Sequence, residues 1–298
     1  MIHTPNRRTF RVPPPTHPHM KSIIAGTDFS PRAASAVRYA AALAKDSGAS
    51  LTLYHAVVLA GPHSSALESH GNAVDHFLIS QAKADAQRHI ESLRLTCGPD
   101  FNPTIVIDTA DDQAAGIAAA AQRKGADAIV VGLRGAGPVS RKILGSVASR
   151  LLDSPSGVPV IAVPRHARYH GLHSAVLSSD LSQLPTEAAA LAAFLAPLHP
   201  ALHVLHLSKS PSKDVNSLSD SSLAAATAAG WTSPVFAQSS ADDWVEAIDN
   251  YVADHLADIV CFIPRPHSLW EDLFGNRLIT DLAFESSVPL LSLPLAAN

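Results

Sequence analysis

The segment VPVIAVP at 158–164 returns 130 residues later as VPLLSLP at 288–294, and Gly145 meets Gly275 at the same offset. IIAGTDFS at 23–30 matches AVLSSDLS at 175–182, which sets Asp28 against Asp180. LTLYHAV at 51–57 matches LHVLHLS at 202–208, setting His55 against His206, and GADAIVVG at 125–132 matches LADIVCF at 256–262. One such match is within reach of chance. Five in the same order point to a tandem duplication, and a duplication constrains the architecture more than any local signal. The 298 residues then divide into copies at 20–168 and 172–298, joined near Arg168–Leu172, about the two domains this length allows. Residues 1–19 hold Arg7, Arg8, Arg11 and five prolines with no apolar run, so they read as a disordered basic arm and not as a secretory signal.

Each copy reads as strand and helix in alternation, five strands to a copy. IIAGTD is a short apolar run, hence a buried strand. Ser30 caps the helix that follows, with Pro31 at its first position and Gly48 closing it. LTLYHAVV is the second strand, 60–75 a loop, 76–95 an amphipathic helix, TIVID the third strand and 111–124 a helix; AIVVG and VPVIAV complete the five. Asp111–Asp112 and Asp242–Asp243 fall where helices begin, the place for first-turn acids. Ser208–Ser222 is Ser/Asp/Lys-rich and reads as a flexible loop. Strands separated by helices make a parallel sheet covered on both faces. The expected fold is α/β: two tandem, doubly wound, five-stranded parallel-sheet domains.

VPVIAVP and VPLLSLP each end a copy as an apolar edge strand, and such an edge must be paired or covered. The expectation is an intramolecular pseudo-dimer in which Val160, Ile161 and Val163 face Leu290, Leu291 and Leu293. The rival is the same pairing between chains, a homodimer. Ligands of such sheets bind at the carboxyl ends of the strands, where Asp28, Ala56 and Gly132 all fall.

Between the last two strands of the first copy runs Gly132-x2-Gly135-x9-Gly145-Ser146. Glycine permits positive φ and close backbone approach, and a helix start presents free N–H groups to an anion. Arg134, Arg141, Lys142 and Arg150 add positive charge. This reads as a cradle for nucleotide phosphates; the alternative is a glycine-rich connection that binds nothing.

Taken with the aspartate after the first strand and the closing VPVIAVP, this signature resembles the universal stress protein family in its tandem two-domain form, over essentially residues 20–295. The resemblance implies a Rossmann-like fold of the adenine nucleotide alpha hydrolase type. It implies a cytoplasmic stress-response protein that binds ATP, with or without Mg²⁺, or another adenine nucleotide. By position, Gly26 and Asp28 face the adenosine, Ala56 the adenine edge, and Gly132, Gly135, Gly145 and Ser146 the phosphates. Thr27, Arg134 and Val147, beside them, complete the candidate set. A carboxylate suits ribose hydroxyls or an adenine N–H, and a small residue lets a flat base lie on backbone. A first-turn carboxylate also stabilises a helix without any ligand.

The second copy departs from the signature in FIPRPHSLWEDLFGNRL. Ser146 becomes Asn276, Arg141 and Lys142 become Glu271 and Asp272, and Pro264 and Pro266 remove N–H donors. Residues 172–298 are thus expected to keep the fold and lose ATP, serving as a structural or partner-binding unit.

Charge follows the same division. Residues 20–168 carry 15 basic and 12 acidic side chains, and residues 169–298 carry 4 and 14. A nucleic-acid partner needs a basic face, so none is expected for the whole chain. No apolar run reaches membrane-spanning length, so no membrane partner is expected either. Cys97 and Cys261 stand alone, which suits a reducing compartment. The sixteen histidines, His63, His70, His199, His203 and His206 among them, show no recognised zinc spacing, and no metal site is expected. His55 and His206 read as satisfied residues near strand ends. GxSxG, HExxH and Walker A sequences do not occur, so no catalytic residue is expected. An ATPase or phosphotransferase would need a second acidic metal ligand near the loop, Ser146 alone being suited to Mg²⁺. A nucleotide-free interaction module is the remaining reading, with no protein partner indicated. Trp231, Trp244 and Trp270 read as packing residues, Trp270 with the option of anchoring a partner.

Overall fold

The computed structural model describes residues 20–31, 33–58, 68–133, 146–153, 157–208, 215–240, 244–264 and 287–294. The arm at 1–19 lies outside them. In chain order the first half holds β1 (Ser22–Gly26), α1 (Ala34–Ser47), β2 (Ser50–Val58), α2 (Glu68–Cys97), β3 (Thr104–Ala110), α3 (Gln113–Lys124), β4 (Ala128–Gly132), α4 (Ser146–Asp153) and β5 (Val160–Val163). The second holds β6 (Ser174–Ser178), α5 (Leu184–Leu195), β7 (Ala201–Ser208), α6 (Val215–Ala228), β8 (Val235–Ser240), α7 (Trp244–His255), β9 (Ile259–Phe262) and β10 (Leu290–Ser292).

The strands form one sheet in the order β3-β2-β1-β4-β5-β10-β9-β6-β7-β8. Each half is parallel, with the same internal order, and the second half is laid down in reverse. Among the described strands only the seam is antiparallel: Leu290 pairs with Ala162, Leu291 with Ile161 and Ser292 with Val160. The expected edge pairing within the chain is therefore present. Leu291 meets Ile161 as anticipated, but Val160 faces Ser292 instead of Leu290. Ser292 Oγ also donates to Leu152 O at 3.0 Å, fastening β10 onto α4 of the other half.

Alternating side chains divide the interior into two layers, each continuous through the seam. Ile23, Ala25, Val130, Ile161, Leu291, Cys261 and Leu177 pack under α1, α2, α5 and α6. Ile24, Ile129, Ala162, Leu290, Val260 and Val176 pack under α3, α4 and α7. Strands covered on both faces need this unbroken apolar character.

Helix ends follow local chemistry. Gly48 and Gly125 close α1 and α3 in the left-handed conformation, with φ of 73° and 58°. Asp112 caps α3, its carboxylate accepting from Ala115 N at 2.8 Å. Ser30 Oγ accepts from Ala33 N at 3.2 Å, so its capping contact belongs to a turn ahead of α1 and not to the helix start itself. Two expected loops are shorter than anticipated. α2 begins at Glu68, inside the expected 60–75 loop, because propagation from a good helix carries through Gly71. α6 begins at Val215, inside the Ser-rich segment; its small Ser222 and Ala226 are buried on the inner face. Trp231 and Trp244 are buried, and Trp231 Nε1 donates to Ala188 O at 2.9 Å. Trp270 lies outside the described residues.

Candidate functional site

Three adjacent strands, β2, β1 and β4, run parallel toward one carboxyl edge, with β2 continuing past the other two to Val58. Thr27 N donates to Tyr54 O at 2.9 Å, continuing the β1–β2 register beyond Gly26. The β1–β4 register, with Ala25 opposite Val130, carries Thr27 to the level of Gly132. Asp28, Ala56 and Gly132 therefore meet at one carboxyl edge, as their strand positions required. Ala56 is buried and Asp28 and Gly132 are half-buried.

The β1–α1 turn is built from its own side chains. Thr27 Oγ1 accepts from Phe29 N at 3.0 Å, and Asp28 Oδ1 accepts from Ser30 N at 2.9 Å. Phe29 sits at φ 57°, a left-handed value that costs a non-glycine residue on the order of 1 kcal/mol. His55 Nδ1–H donates to Thr27 O at 2.8 Å and its ring leans on Phe29, with centroids 5.0 Å apart. The second half repeats the turn. Leu181 N donates to Ser179 Oγ, Ser182 N to Asp180 Oδ1 and His206 Nδ1–H to Ser179 O, with Leu181 at φ 67°. The aspartate turn is thus a property of the fold in both copies. Both histidines are satisfied, as expected.

Gly26 has a packing reason to be glycine. A Cβ there would stand 2.7 Å from Ile117 Cδ1 and 3.1 Å from Val131 Cγ1, so α3 closes against the strand end. Beyond β4, Leu133 N donates to Val163 O at 3.0 Å. Arg134, Gly135, Arg141, Lys142 and Gly145 lie outside the described residues, as do Glu271, Asp272, Gly275 and Asn276 of the second copy. The chain is described again from Ser146, the first residue of α4, and Val147, half-buried.

Beside this edge lies a cleft of about 200 Å³ lined by Val58, Asp111, Asp112, Gln113, Ala114, Val147 and Arg150. Arg150 stands one helical turn beyond Ser146 and pairs with Asp112 at the start of α3. The pair bridges the helix that follows the glycine motif to the helix that follows β3.

Two further residues belong to the neighbourhood and escaped the sequence reading. His89 of α2 is buried edge-on to Phe29, with centroids 5.9 Å apart, and its Nε2 has no hydrogen-bond partner among the described residues. Burial holds its pKa below the ordinary histidine value; Asp28 pulls it up and Arg38 pushes it down. Its signal was the stripe Ala82, Ala86, Ile90 and Leu93, which places residue 89 on the inner face of the helix. Tyr54 lies buried beneath Ala56, and burial, then Asp108, raises its pKa. Among the described residues no cluster of three or more His, Cys, Asp or Glu is placed to hold a metal ion, and no helix is long and apolar enough to cross a membrane.

The universal stress protein family matches residues 19–164. No curated protein matches the chain. Among solved structures, a universal stress protein from Archaeoglobus fulgidus shares the fold with a TM-score of 0.62 at 17% identity, covering 93% of this chain and 97% of that one. A functionally unknown protein from Pseudomonas aeruginosa does so with a TM-score of 0.56 at 15% identity, covering 93% of each. These likenesses extend the fold over both halves, and the segment 19–164 is the part of the chain that belongs to the universal stress protein family.

Proposed function

We propose that this stress-response protein binds one adenine nucleotide, ATP with or without Mg²⁺, in a domain spanning 20–168, and that the domain spanning 172–298 serves as a structural or partner-binding unit. The observation that carries the reading is the meeting of Asp28, Ala56 and Gly132 at one carboxyl edge, where Gly132 opens the glycine motif and Ser146 opens α4. Backbone N–H groups at the start of α4, the glycines ahead of it and Arg150 supply the anion-favouring end. Asp28 and the small Ala56 supply the polar and flat ends a nucleoside needs. The aspartate turn recurs in the second copy, so it is the glycine motif and its basic residues that single out the first. The nucleotide acts as a bound ligand, with no catalytic residue assigned. The unpaired Cys97 and Cys261 suit a cytoplasmic setting.

Equilibrium dialysis against ATP and Mg²⁺ tests the reading. About one nucleotide per chain is expected, and none after Gly135→Val, at an unchanged melting temperature. Two nucleotides per chain, or full affinity in that variant, would overturn it.

A further inference from the structure

The second half carries a cluster for which the first has no counterpart. His203 of β7 and Tyr251 and His255 of α7 come together at the amino-terminal edge of the sheet, the edge opposite Asp180. His203 Nδ1 lies 2.9 Å from the Tyr251 hydroxyl. His255 Nδ1–H donates to the Tyr251 carbonyl oxygen at 3.0 Å. The His255 ring stacks on Tyr251, with centroids 3.9 Å apart and planes at 18°. The two imidazoles meet at a centroid separation of 5.4 Å and 72° between planes. One residue, Tyr251, thus engages Nδ1 of both rings and leaves Nε2 as the nitrogen each has to offer.

Comparison of the copies shows how this arose. α3 and α7 align residue by residue: the left-handed Gly125 and Leu256 close them at φ 58° and 49°, and Ala126 N→Ala121 O corresponds to Ala257 N→Val252 O. In that alignment Tyr251 stands where the first copy has Ala120, and His255 where it has Lys124. The alignment that pairs His206 with His55 sets His203 on Thr52. Three positions that meet in space differ together, and the outcome is two imidazoles with a phenol behind them.

We propose that His203 and His255 form a two-imidazole site for a divalent transition-metal cation, with Tyr251 orienting both rings. Two imidazoles bound through nitrogen at about 2.0–2.1 Å to one tetrahedral ion place their ring centroids about 5 Å apart, close to the separation found. Histidine ligands ordinarily have the second nitrogen held by an oxygen acceptor or its equivalent, which fixes tautomer and ring direction. Waters complete the coordination. Imidazole ligation suits Zn²⁺, Ni²⁺ and above all Cu²⁺, and disfavours Mg²⁺ and Ca²⁺. The site is independent of the nucleotide reading.

Calorimetric titration of the full chain with Zn²⁺ tests the proposal, with His203→Thr and His255→Lys restoring the first-copy residues. The wild type is expected to hold one equivalent that each variant binds at least tenfold more weakly, while Tyr251→Phe weakens it by a smaller factor. Weak binding by other histidines is common to all four proteins and cancels in the comparison. A second measurement needs no variant: substoichiometric Cu²⁺ should broaden the NMR signals of His203, Tyr251 and His255 before all others. Equal Zn²⁺ affinity in wild type and variants, no binding at all, or Cu²⁺ broadening that starts elsewhere would each refute the site and leave the cluster as aromatic packing only.

Discussion

Leu290 lies directly across from Ala162 in the antiparallel pairing that joins the two halves. Facing residues of such a pair hold their Cα atoms about 4.5–5.5 Å apart, inside the range a disulfide can span. Ser292 faces Val160, two residues further along, and two residues of strand add roughly 7 Å. In a variant lacking Cys97 and Cys261, Ala162→Cys with Leu290→Cys is expected to oxidise within one chain. Ala162→Cys with Ser292→Cys is not. Non-reducing mass analysis reads the outcome; equal cross-linking of both pairs, or bonds only between chains, contradicts the register.

The existence of this seam was legible because two apolar runs, each ending a copy, present edges that must be paired or covered. Its register was not. Val160, Ile161, Leu290 and Leu291 are buried on whichever face they point to, so these apolar side chains do not mark a slip of one residue. Asp28, Ala56 and Gly132 were legible as neighbours because strand ends of a parallel sheet share one edge. The Arg150–Asp112 pair spans 38 residues of sequence and depends on how α3 and α4 pack, which no local spacing encodes. The α2 start was hidden by Gly71, since a single glycine lowers helix propensity by only about 1 kcal/mol and the neighbouring turns carry the helix through it.

Gly116 of α3 should be the least replaceable glycine among those described near the site. A Cβ there would stand 2.9 Å from Ala110 Cβ, which cannot move without its backbone, and 3.0 Å from the hydroxyl of the buried Tyr54. At Gly26 the close neighbour is the tip of Ile117, which can rotate away. Gly116→Ala is expected to cost about 2–3 kcal/mol and Gly26→Ala about 1 kcal/mol, within the range for overpacking. Thermal or urea unfolding checks the order; a reversed order would place the tight contact elsewhere.

His89 gives stability a pH dependence of definite sign. Its folded pKa is below the unfolded value because burial disfavours the charged ring. Between the two values the unfolded chain binds more protons, so stability rises with pH there. The contribution is whole above the ordinary value of about 6.5 and is lost as pH falls below it toward the folded pKa. His203, also depressed by burial, acts in the same direction. His89→Leu should flatten the melting-temperature profile between pH 7 and 5.5 relative to the wild type. An unchanged slope would mean that His89 takes up its proton as readily in the folded protein as in the unfolded chain.

Arg150 and Asp112 should move nucleotide affinity in opposite directions. Arg150 is about three-fifths exposed and Asp112 about one-third, so the pair itself contributes little to stability, within about 1 kcal/mol. Asp112 also caps α3, and Asp112→Ala should cost about 1 kcal/mol through the lost cap. Asp112→Asn retains an oxygen for Ala115 N while removing the charge that holds Arg150, so it separates the two roles. If phosphates lie over Ser146, one turn from Arg150, the released guanidinium becomes available to them and a repelling carboxylate is gone. Asp112→Asn is then expected to bind ATP several-fold more tightly, with a steeper loss of affinity as salt is added. Arg150→Gln should bind several-fold more weakly at nearly unchanged melting temperature. The contrast should shrink for adenosine, which has no phosphate to feel either residue. Equal changes for ATP and adenosine would place the phosphates away from α4 and reassign the cleft.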